Sequence, residues 1–351
     1  MAKPHTPKLK FLCFGAGAIG GYIGGSLILA GHSVTFLERP EQAEALKSRG
    51  LVLQTPQGTF SIFPLQVVSS LEETITAGPY DLGILAVKSY DTQSLLETLS
   101  PYAVALPPVL SLQNGVENEM FLACVFGTDR VISGTVTTAV GKPEPGVIVV
   151  ERLRGVGIAD EHPLAPTLAG VMDAAGLRAR LYTNGRAMKW SKMLTNLMGN
   201  ATSAILDMTP AEIYADPHLT RLEVAMLREA VSVMRAMKIP VVNLPGTPVK
   251  GLIFLSSLPI WLSQPLWQQA LGKGRGGKMP SFQIDLKSGR GKSEVEFLNG
   301  AVVRFGQQAG VPTPINQTLT HLLMEITRGN IRWEDFRHNP AALLKACGFH
   351  S

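Results

Sequence analysis

The sequence predicts an α/β domain followed by an all-helical domain. A chain of 351 residues exceeds the usual size of a single hydrophobic core, so two domains are expected. In the first part, short apolar runs that end in glycines or polar turns alternate with segments of helical periodicity, which is typical of a parallel sheet covered by helices. From Gly185 onward the pattern is helical. We therefore place the domains at residues 1–184 and 185–351.

Composition limits the class of protein and its partners. Hydrophobic residues make up 45% of the chain and charged residues 17%, as in ordinary globular proteins. Basic and acidic residues are mixed along the whole length and leave a net charge of +5, so nucleic acid is not expected as a partner, and a mildly positive cleft for an anionic ligand stays open. Three widely spaced cysteines, Cys13, Cys124 and Cys347, fit neither a disulfide framework nor a metal site, which favours a reducing, cytoplasmic location.

The stretch FLCFGAGAIGGYIGGSLILAG, Phe11 to Gly31, is apolar over nearly the length of a bilayer crossing. The order of its glycines argues against a membrane span. Gly15, Gly17 and Gly20 form G-x-G-x-x-G directly after an apolar run, a segment of helical periodicity follows, and HSVTFL resumes a strand pattern. This context is typical of a dinucleotide fingerprint. The first domain is therefore predicted to be a Rossmann-type domain.

The predicted turn binds a dinucleotide mainly through its backbone. Gly15 permits the tight turn, Gly17 lets the backbone approach the pyrophosphate, and Gly20 allows close packing of helix on strand. The helix N-terminus, at Ala18 and Ile19, directs free N–H groups at the phosphates.

The end of the second strand, TFLERP, bears on the choice of nicotinamide cofactor. An acidic residue there binds the ribose hydroxyls of NAD, whereas an arginine neutralises the 2′-phosphate of NADP. This chain has Glu38 and Arg39 side by side. Because successive side chains of a strand point to opposite sides, we expect only one of them to face the ribose, and NADH stays open beside NADPH.

Two further apolar strands, Leu82 to Val87 and Val109 to Leu112, end in polar turns with Lys88 and Asn114. The carboxyl ends of parallel strands line the ligand crevice, so both residues are candidates for the cofactor edge, with a surface lysine and an ordinary turn asparagine as the alternative. The segments VISGTVTTAV, GVIVVERLRGVGIAD and LRARLYTN are expected to complete the same sheet.

The segment KWSKMLTNLMGNATSAILDM predicts a buried helix with one polar face that opens to a cleft; a solvent-facing stripe is the alternative. At helical spacing this face comprises Lys192, Thr195, Asn196, Gly199 and Asn200. Lys189 lies on nearly the same face. A partly desolvated ammonium can donate the proton that a carbonyl oxygen needs during hydride reduction.

Three features of the second predicted domain also lie on predicted helices. Glu294 heads an apolar helical face, either as a charge at the helix N-terminus or as a site residue paired with a cation. Thr313 is expected to cap the last helix, with Pro314 at its first position. The apolar segment from Gly251 to Trp267, interrupted by prolines, predicts a helical hairpin that serves a dimer surface, a pocket lid, a membrane contact or plain packing.

Six segments, in this order and spread over nearly the whole chain, resemble the ketopantoate reductase (2-dehydropantoate 2-reductase) family: GAGAIGGYIG, AVKSYDT, SLQNGVENE, KWSKMLTNLMGN, SEVEFLNG and AGVPTPIN. The resemblance implies reduction of 2-dehydropantoate to (R)-pantoate with NADPH, on the way to pantothenate and coenzyme A. It also implies a Rossmann domain and a helical C-terminal domain with the site between them.

By motif, the resemblance implies that Lys192, ahead of Lys189, is the general acid and that Glu294 positions it or the substrate hydroxyl. It also implies that Arg39 binds the 2′-phosphate of NADPH and that Lys88 lies on the cofactor side of the site. The residues that it implies for substrate binding are Asn114, which also lies near the nicotinamide, Asn196, Asn200 and Ser281.

Two departures from the family pattern concern the substrate. Pro210 stands where the family often has another asparagine, and the apolar segment from Gly251 to Trp267, with the loop to Lys278, looks longer than usual. A paralogous reductase of a bulkier or less polar 2-oxo acid is therefore the alternative function. A nucleotide-binding sensor without catalysis is a third hypothesis, and a homodimer is compatible with all three.

Overall fold

The structure of the protein is a computed structural model that describes residues 7–273 and 279–349. The chain divides into two compact units, Met1–Lys189 with Leu244–Thr247, and Trp190–Asn243 with Pro248–Ser351. The division falls inside the helix that begins at Gly185. A short bridge between Leu244 and Thr247 groups with the first unit, which the sequence pattern does not indicate.

The first unit contains all twelve named strands of the described residues: β1 Lys10–Phe14, β2 Ser33–Leu37, β3 Leu51–Thr55, β4 Gly58–Ile62, β5 Gln66–Val68, β6 Leu82–Leu85, β7 Val109–Ser111, β8 Val131–Val136, β9 Ala139–Glu144, β10 Val147–Arg152, β11 Val156–Ala159 and β12 Ala179–Tyr182. Its complete helices are α1 Ala18–Leu29, α2 Pro40–Arg49, α3 Leu71–Ala77, α4 Thr92–Leu99, α5 Asn118–Phe126 and α6 Ala165–Ala174.

The main sheet has eight strands in the order β12-β11-β8-β7-β6-β1-β2-β5. All neighbours are parallel except β8 and β11. The chain runs outward from β1 through β2 to β5 and then returns to the other side of β1 with β6. The topological switch point of this α/β sheet therefore lies between β1 and β6, where such sheets bind ligands beyond the carboxyl ends of their strands.

Both faces of the main sheet are covered, as a parallel sheet requires. Along β1, Phe11 and Cys13 belong to one buried cluster and Leu12 and Phe14 to the other. This alternation follows from the two-residue period of a strand. The continuous apolar run at the start of the fingerprint is thus a strand that is buried on both sides, and the Rossmann prediction is confirmed.

The prediction that every later strand completes the main sheet is wrong for β9 and β10. These two strands form an antiparallel pair and join β3 and β4 in a separate four-stranded sheet of order β4-β3-β10-β9. The remaining predicted strands, β8, β11 and β12, do extend the main sheet. An alternating pattern of apolar and polar residues predicts a strand but does not specify which sheet the strand joins.

The glycines inside α1 let this helix pack closely on two sheets. A Cβ on Gly24 would lie 2.6 Å from the ring of Phe36 in the main sheet, and a Cβ on Gly21 would lie 2.9 Å from Ile148 in the small sheet. Contacts of this length are not tolerated by real side chains. Glycines within the apolar stretch from Phe11 to Gly31 are therefore explained by packing within the first unit. Within the described residues, no helix is both long and apolar enough to cross a bilayer.

The second unit is helical throughout its named elements, so the predicted fold class is confirmed for it as well. Its helices, the first of which begins in the first unit, are α7 Gly185–Leu197, α8 Ala201–Leu206, α9 Pro210–Ala215, α10 Pro217–Ala236, α11 Val249–Ser257, α12 Ile260–Trp267, α13 Ser281–Lys287, α14 Asn299–Ala309, α15 Pro314–Arg328 and α16 Pro340–Ala346.

A buried carboxylate joins three segments of the second unit. Asp207 follows α8 in the left-handed conformation and is 8% exposed. It forms ion pairs with Arg337 at 2.7 Å and Lys287 at 3.0 Å, and it accepts a hydrogen bond from the Gln283 amide. The Arg337 guanidinium also lies over the ring of Trp333, 4.7 Å from its centroid. Asp207 thereby links the end of α8 to α13 and to the C-terminal segment.

The cap of α15 differs from the prediction. Thr313 occupies the N-cap position and Pro314 the first helical position, but the Thr313 side chain makes no capping hydrogen bond. The carboxylate of Glu229, from α10, accepts from the backbone N–H groups of Ile315 and Asn316 at 2.9 Å each. Burial raises the pKa of Glu229, although these hydrogen bonds oppose the shift. A residue distant in sequence thus replaces the local cap.

The apolar segment forms the predicted helical hairpin, α11 and α12, with a break at Leu258 and Pro259. Its packing is mixed: Trp267 is 1% exposed, whereas Trp261 is 77% exposed. The loop that extends to Lys278 lies largely outside the described residues, because these omit 274–278.

Candidate functional site

The glycine turn follows β1 as the sequence predicts. Gly15 has φ +96°, a conformation that glycine adopts without a steric cost. Its backbone N–H donates to the carbonyls of Cys13 and Leu37, both at 3.0 Å, which ties the turn to the ends of β1 and β2. The turn is therefore fixed at the switch point of the sheet.

Gly17 and Gly20 fit the turn for a pyrophosphate in different ways. A Cβ on Gly20 would lie 2.1 Å from the Gly15 carbonyl oxygen, so only glycine lets α1 begin this close to the turn. A Cβ on Gly17 would meet no protein atom within 4 Å. The space above Gly17 is thus open beside the first N–H groups of a helix, which is the arrangement that holds a diphosphate. The residues present fit a dinucleotide.

A cleft of about 340 Å³ lies beside this turn, and both Glu38 and Arg39 line it. β2 ends at Leu37, so strand alternation does not extend to either residue, and which of them faces the ribose stays a prediction. The Glu38 carboxylate accepts a hydrogen bond of 2.5 Å from the Ala16 N–H, whereas the Arg39 side chain is exposed. Glu38 is therefore engaged with the turn, and Arg39 is positioned at the cleft.

Lys142, on β9, is a residue that sequence reasoning missed. Its ammonium donates to the Ala16 carbonyl at 3.2 Å, although 126 positions separate the two residues. It brings a positive charge to the glycine turn, where the fingerprint itself supplies only backbone groups. No local signal marks this lysine, because its strand joins the separate small sheet that packs on α1.

The turns that carry Lys88 and Asn114 are joined by a buried polar network. The Asn114 carbonyl accepts from the hydroxyl of Ser89 at 2.9 Å and from the amide of Asn118 at 2.5 Å. The Gln113 amide donates to the Val87 carbonyl and to the Thr92 hydroxyl. The structure thus brings the ends of β6 and β7 together, as predicted. It adds residues that the motif reading did not single out: Ser89, Thr92, Gln113 and Asn118.

Lys189 is buried within the first unit and is 4% exposed. Its ammonium forms an ion pair of 2.7 Å with Glu119 and donates to the carbonyls of Gln113, at 2.6 Å, and Gly134, at 3.4 Å. Two hydrogen bonds and an ion pair therefore hold the Lys189 ammonium within the first unit.

The predicted helix with a continuous polar face is wrong in one respect. α7 ends at Leu197 and α8 begins at Ala201, because Gly199 has φ +63°. The carboxylate of Glu223, 2% exposed, accepts from the Gly199 N–H at 2.6 Å and from the Tyr214 hydroxyl at 3.0 Å. Glu223 therefore stabilises the break between α7 and α8. Sequence reasoning missed this residue because it lies on α10, away from the break in sequence.

Within the second unit, the structure brings together residues that the resemblance assigns to the substrate. The Asn200 amide donates to the Asn196 carbonyl at 3.1 Å and to the Ser281 hydroxyl at 3.3 Å, and its oxygen accepts from the Phe282 N–H at 3.1 Å. Asn200 is thus fixed between the break after α7 and the start of α13. Lys192 and Asn196 are both half-buried on the last turns of α7.

Glu294 is 1% exposed, but it does not head an α-helix as predicted. It begins a short 3-10 turn, Glu294–Phe297, and α14 starts only at Asn299 after a break at Leu298. The Ser293 hydroxyl accepts from the Val295 N–H and closes this turn. A helix macrodipole therefore does not explain the buried carboxylate.

Two family models match the chain. The one described as Ketopantoate reductase PanE/ApbA matches residues 11–160, and the one described as Ketopantoate reductase PanE/ApbA C terminal matches residues 184–327. The chain belongs to the ketopantoate reductase family. It is therefore an oxidoreductase of a nicotinamide dinucleotide-dependent family, and the resemblance is confirmed.

Relatives cover nearly the whole chain. A 2-dehydropantoate 2-reductase of Archaeoglobus fulgidus is 29% identical and covers 90% of this chain and 97% of its own. The enzyme of the same name from Pyrococcus horikoshii is 27% identical, with coverages of 90% and 96%. A crystal structure of a PanE/ApbA family ketopantoate reductase from Ralstonia eutropha has a TM-score of 0.76 at 28% identity and covers 92% of this chain and 99% of its own.

A more distant structure shares the fold. The ternary structure of D-mandelate dehydrogenase with NADH and anilino(oxo)acetate has a TM-score of 0.73 at 21% identity, and it covers 92% of this chain and 100% of its own.

Proposed function

We propose that this protein reduces a 2-oxo acid to the corresponding 2-hydroxy acid with NADPH, and that 2-dehydropantoate is its leading substrate, with (R)-pantoate for pantothenate biosynthesis as the product. The observation that carries the proposal is the Asn200–Ser281 contact of 3.3 Å. These two residues are 81 positions apart and belong to different family motifs, yet their side chains meet. Because the Asn200 amide donates to the Ser281 hydroxyl oxygen, this hydroxyl can direct its own proton to a carboxylate oxygen of a 2-oxo acid.

The first unit is proposed to hold the cofactor, which supplies the hydride when bound. The N–H groups of Ala18 and Ile19, at the start of α1 and next to the open space at Gly17, are proposed to bind the diphosphate, and Lys142 adds a cation beside the same turn. Arg39 lines the neighbouring cleft and is proposed to bind the 2′-phosphate of NADPH. Glu38 already bonds to the turn, which favours a phosphate-binding role for Arg39 over a ribose-binding role for Glu38.

Lys192 is proposed as the general acid that gives a proton to the substrate oxygen as its negative charge develops. Lys189 is buried at 4% exposure whereas Lys192 is half-buried, which supports this choice between the two lysines. Asn196, Asn200 and Ser281 are proposed to orient the acid. Glu294, 1% exposed and not explained by a helix macrodipole, is proposed to position either Lys192 or the substrate hydroxyl.

A second candidate function is reduction of a bulkier or less polar 2-oxo acid. Pro210 is buried as the first residue of α9, after a capping box formed by Thr209 and Glu212. Proline provides no amide at the position where the family often has an asparagine. The substrate end that this asparagine would contact therefore meets a less polar surface, which favours an apolar group.

A substrate panel tests both proposals. Purified protein is mixed with NADPH or NADH and one of 2-dehydropantoate, 2-oxoisovalerate, phenylglyoxylate or pyruvate, and the decrease of cofactor absorbance is followed. The highest kcat/KM for 2-dehydropantoate supports the first proposal, and the highest value for phenylglyoxylate supports the second. Binding of NADPH without turnover of any acid contradicts both and favours a sensor.

The role of Lys192 is tested in the same assay. Lys192→Ala should lower kcat by about 100-fold or more, the usual effect of losing a general acid, while the Kd for NADPH stays unchanged. Lys345→Ala, at an exposed lysine of α16, is the matched control and should leave kcat unchanged. Equal activity of Lys192→Ala and the wild type would remove Lys192 from the mechanism.

A further inference from the structure

The inference concerns Lys189 and Glu119, which no motif assigns to the reaction, and it rests on the proposed function. The Lys189 side chain is 5% exposed, and the Glu119 side chain is 16% exposed. Removing a charge this far from water is costly unless strong hydrogen bonds replace its hydration. Such a pair contributes little net stability compared with apolar residues of similar volume. A reason other than stability is therefore required for placing a lysine here.

The contacts of Lys189 suggest that reason. Its shortest hydrogen bond, 2.6 Å, goes to the carbonyl of Gln113, which is the residue directly before Asn114. The ammonium also donates to the Gly134 carbonyl, in β8, and forms an ion pair with the Glu119 carboxylate, in α5. One ammonium thus ties the turn after β7 to the helix that follows this turn and to the neighbouring strand.

The turn is held from its other side by different groups. Ser89 and Asn118 donate to the Asn114 carbonyl at 2.9 Å and 2.5 Å. The two successive peptide carbonyls, at Gln113 and Asn114, are therefore both fixed by buried donors. With both peptide planes fixed, the Cα–Cβ direction of Asn114 is fixed as well, since a residue has only two soft backbone dihedrals.

We propose that Lys189, oriented by Glu119, is a positioning residue that fixes the turn presenting Asn114 to the nicotinamide and substrate. It acts through Asn114 and donates no proton in the reaction. Misplacing a reactant-positioning group by about 1 Å can reduce turnover by about 100-fold. The pair therefore affects kcat more than its contribution to folding would suggest.

The test combines kinetics with a local structural measurement. Lys189→Met keeps the length of the side chain but removes the donors, and we expect kcat to fall about 10- to 100-fold. Hydrogen exchange of the backbone amides should rise in the peptide covering the turn after β7 and remain unchanged in α6. In an Asn114→Ala background the same substitution should cost less than about 3-fold, because two residues that act through one contact are not additive.

Two further variants separate positioning from stability. The double variant Lys189→Met with Glu119→Gln removes the uncompensated carboxylate and should regain part of the lost Tm, while kcat stays low because the Gln113 carbonyl still lacks its donor. Leu168→Ala, at a fully buried residue of α6, should lower the Tm by a similar amount and leave kcat unchanged.

Several results would overturn the inference. Unchanged hydrogen exchange in the turn of Lys189→Met would do so even for a preparation that reduces no 2-oxo acid, so its failure is distinguishable from failure of the proposed function. Recovery of kcat together with the Tm in the double variant would also overturn the inference. Full additivity of Lys189→Met with Asn114→Ala would also reject action through Asn114.

Discussion

Replacing Gly17 by alanine should separate cofactor binding from folding. The backbone at Gly17 has φ −65°, which alanine adopts freely, and a Cβ there would meet no protein atom within 4 Å. The free energy of unfolding should therefore change by less than about 0.5 kcal/mol. The added methyl group would instead occupy the open space at the helix N-terminus where the diphosphate is proposed to lie.

The size of the binding defect follows from the hydrogen bonds at risk. Hydrogen bonds between backbone N–H groups and a charged phosphate contribute about 1.5–3 kcal/mol each. A methyl group that displaces the diphosphate weakens at least one of them, so we expect a loss of about 2–3 kcal/mol. This corresponds to an increase of about 30- to 150-fold in the Kd for NADPH.

Two matched glycine variants complete the experiment, which measures Kd by NADPH fluorescence and stability by thermal unfolding. Gly20→Ala places a Cβ 2.1 Å from a backbone oxygen and should destabilise the protein by about 1–3 kcal/mol or more. Gly170→Ala, at an exposed helical position with no atom within 4 Å, should be stabilising and leave Kd unchanged. The reasoning is refuted if Gly17→Ala binds NADPH like the wild type, or if it loses as much stability as Gly20→Ala.

Three further predictions concern individual charges. Arg39→Ala should raise the Kd for NADPH about 10-fold or more and leave that for NADH nearly unchanged, because only NADPH carries a 2′-phosphate; equal losses would contradict the role. Lys142→Met should raise the Kd for NADPH and the Kd for NADH about 3- to 10-fold. Lys47→Met, at an exposed lysine paired with Glu44, is the control. A change in Tm without a change in either Kd would show that the role of Lys142 is purely structural. Asp207→Asn, which retains the left-handed preference, should cost about 1–2 kcal/mol at neutral pH, whereas Asp335→Asn at an exposed pair should cost less than about 0.5 kcal/mol. Burial raises the pKa of Asp207, but hydrogen bonds from Lys287 and Arg337 outweigh burial and lower it below the ordinary 3.8. The stability difference between wild type and Asp207→Asn should therefore be complete above about pH 4 and shrink as the pH falls further; a constant difference in urea unfolding would contradict this.

The features that the sequence predicts correctly are those whose physics is local. The glycine turn depends on backbone conformations that few other residues tolerate, so its place after β1 is readable from Gly15 and Gly20 alone. The turns with Lys88 and Asn114 follow from the rule that parallel strands end at one edge. The burial of the apolar sides of α7 likewise follows from helical spacing.

The features that the sequence does not predict depend on residues far apart along the chain. Lys142 reaches the glycine turn through a separate sheet, and Glu229 replaces Thr313 at the start of α15. The break at Gly199 interrupts a periodicity that reads as one helix, and Glu223 from α10 holds it. Hydrophobic periodicity specifies which face is buried but not which distant polar group meets it. The roles of Lys192 and Glu294 stay predictions.

The most direct test of the central claim follows the hydride itself. Wild-type protein is incubated with 2-dehydropantoate and NADPH that carries deuterium at both C4 positions of the nicotinamide ring, and the product is analysed by mass spectrometry. We expect (R)-pantoate with a single deuterium at C2. Recovery of unchanged 2-dehydropantoate, or of pantoate without deuterium at C2, would contradict it.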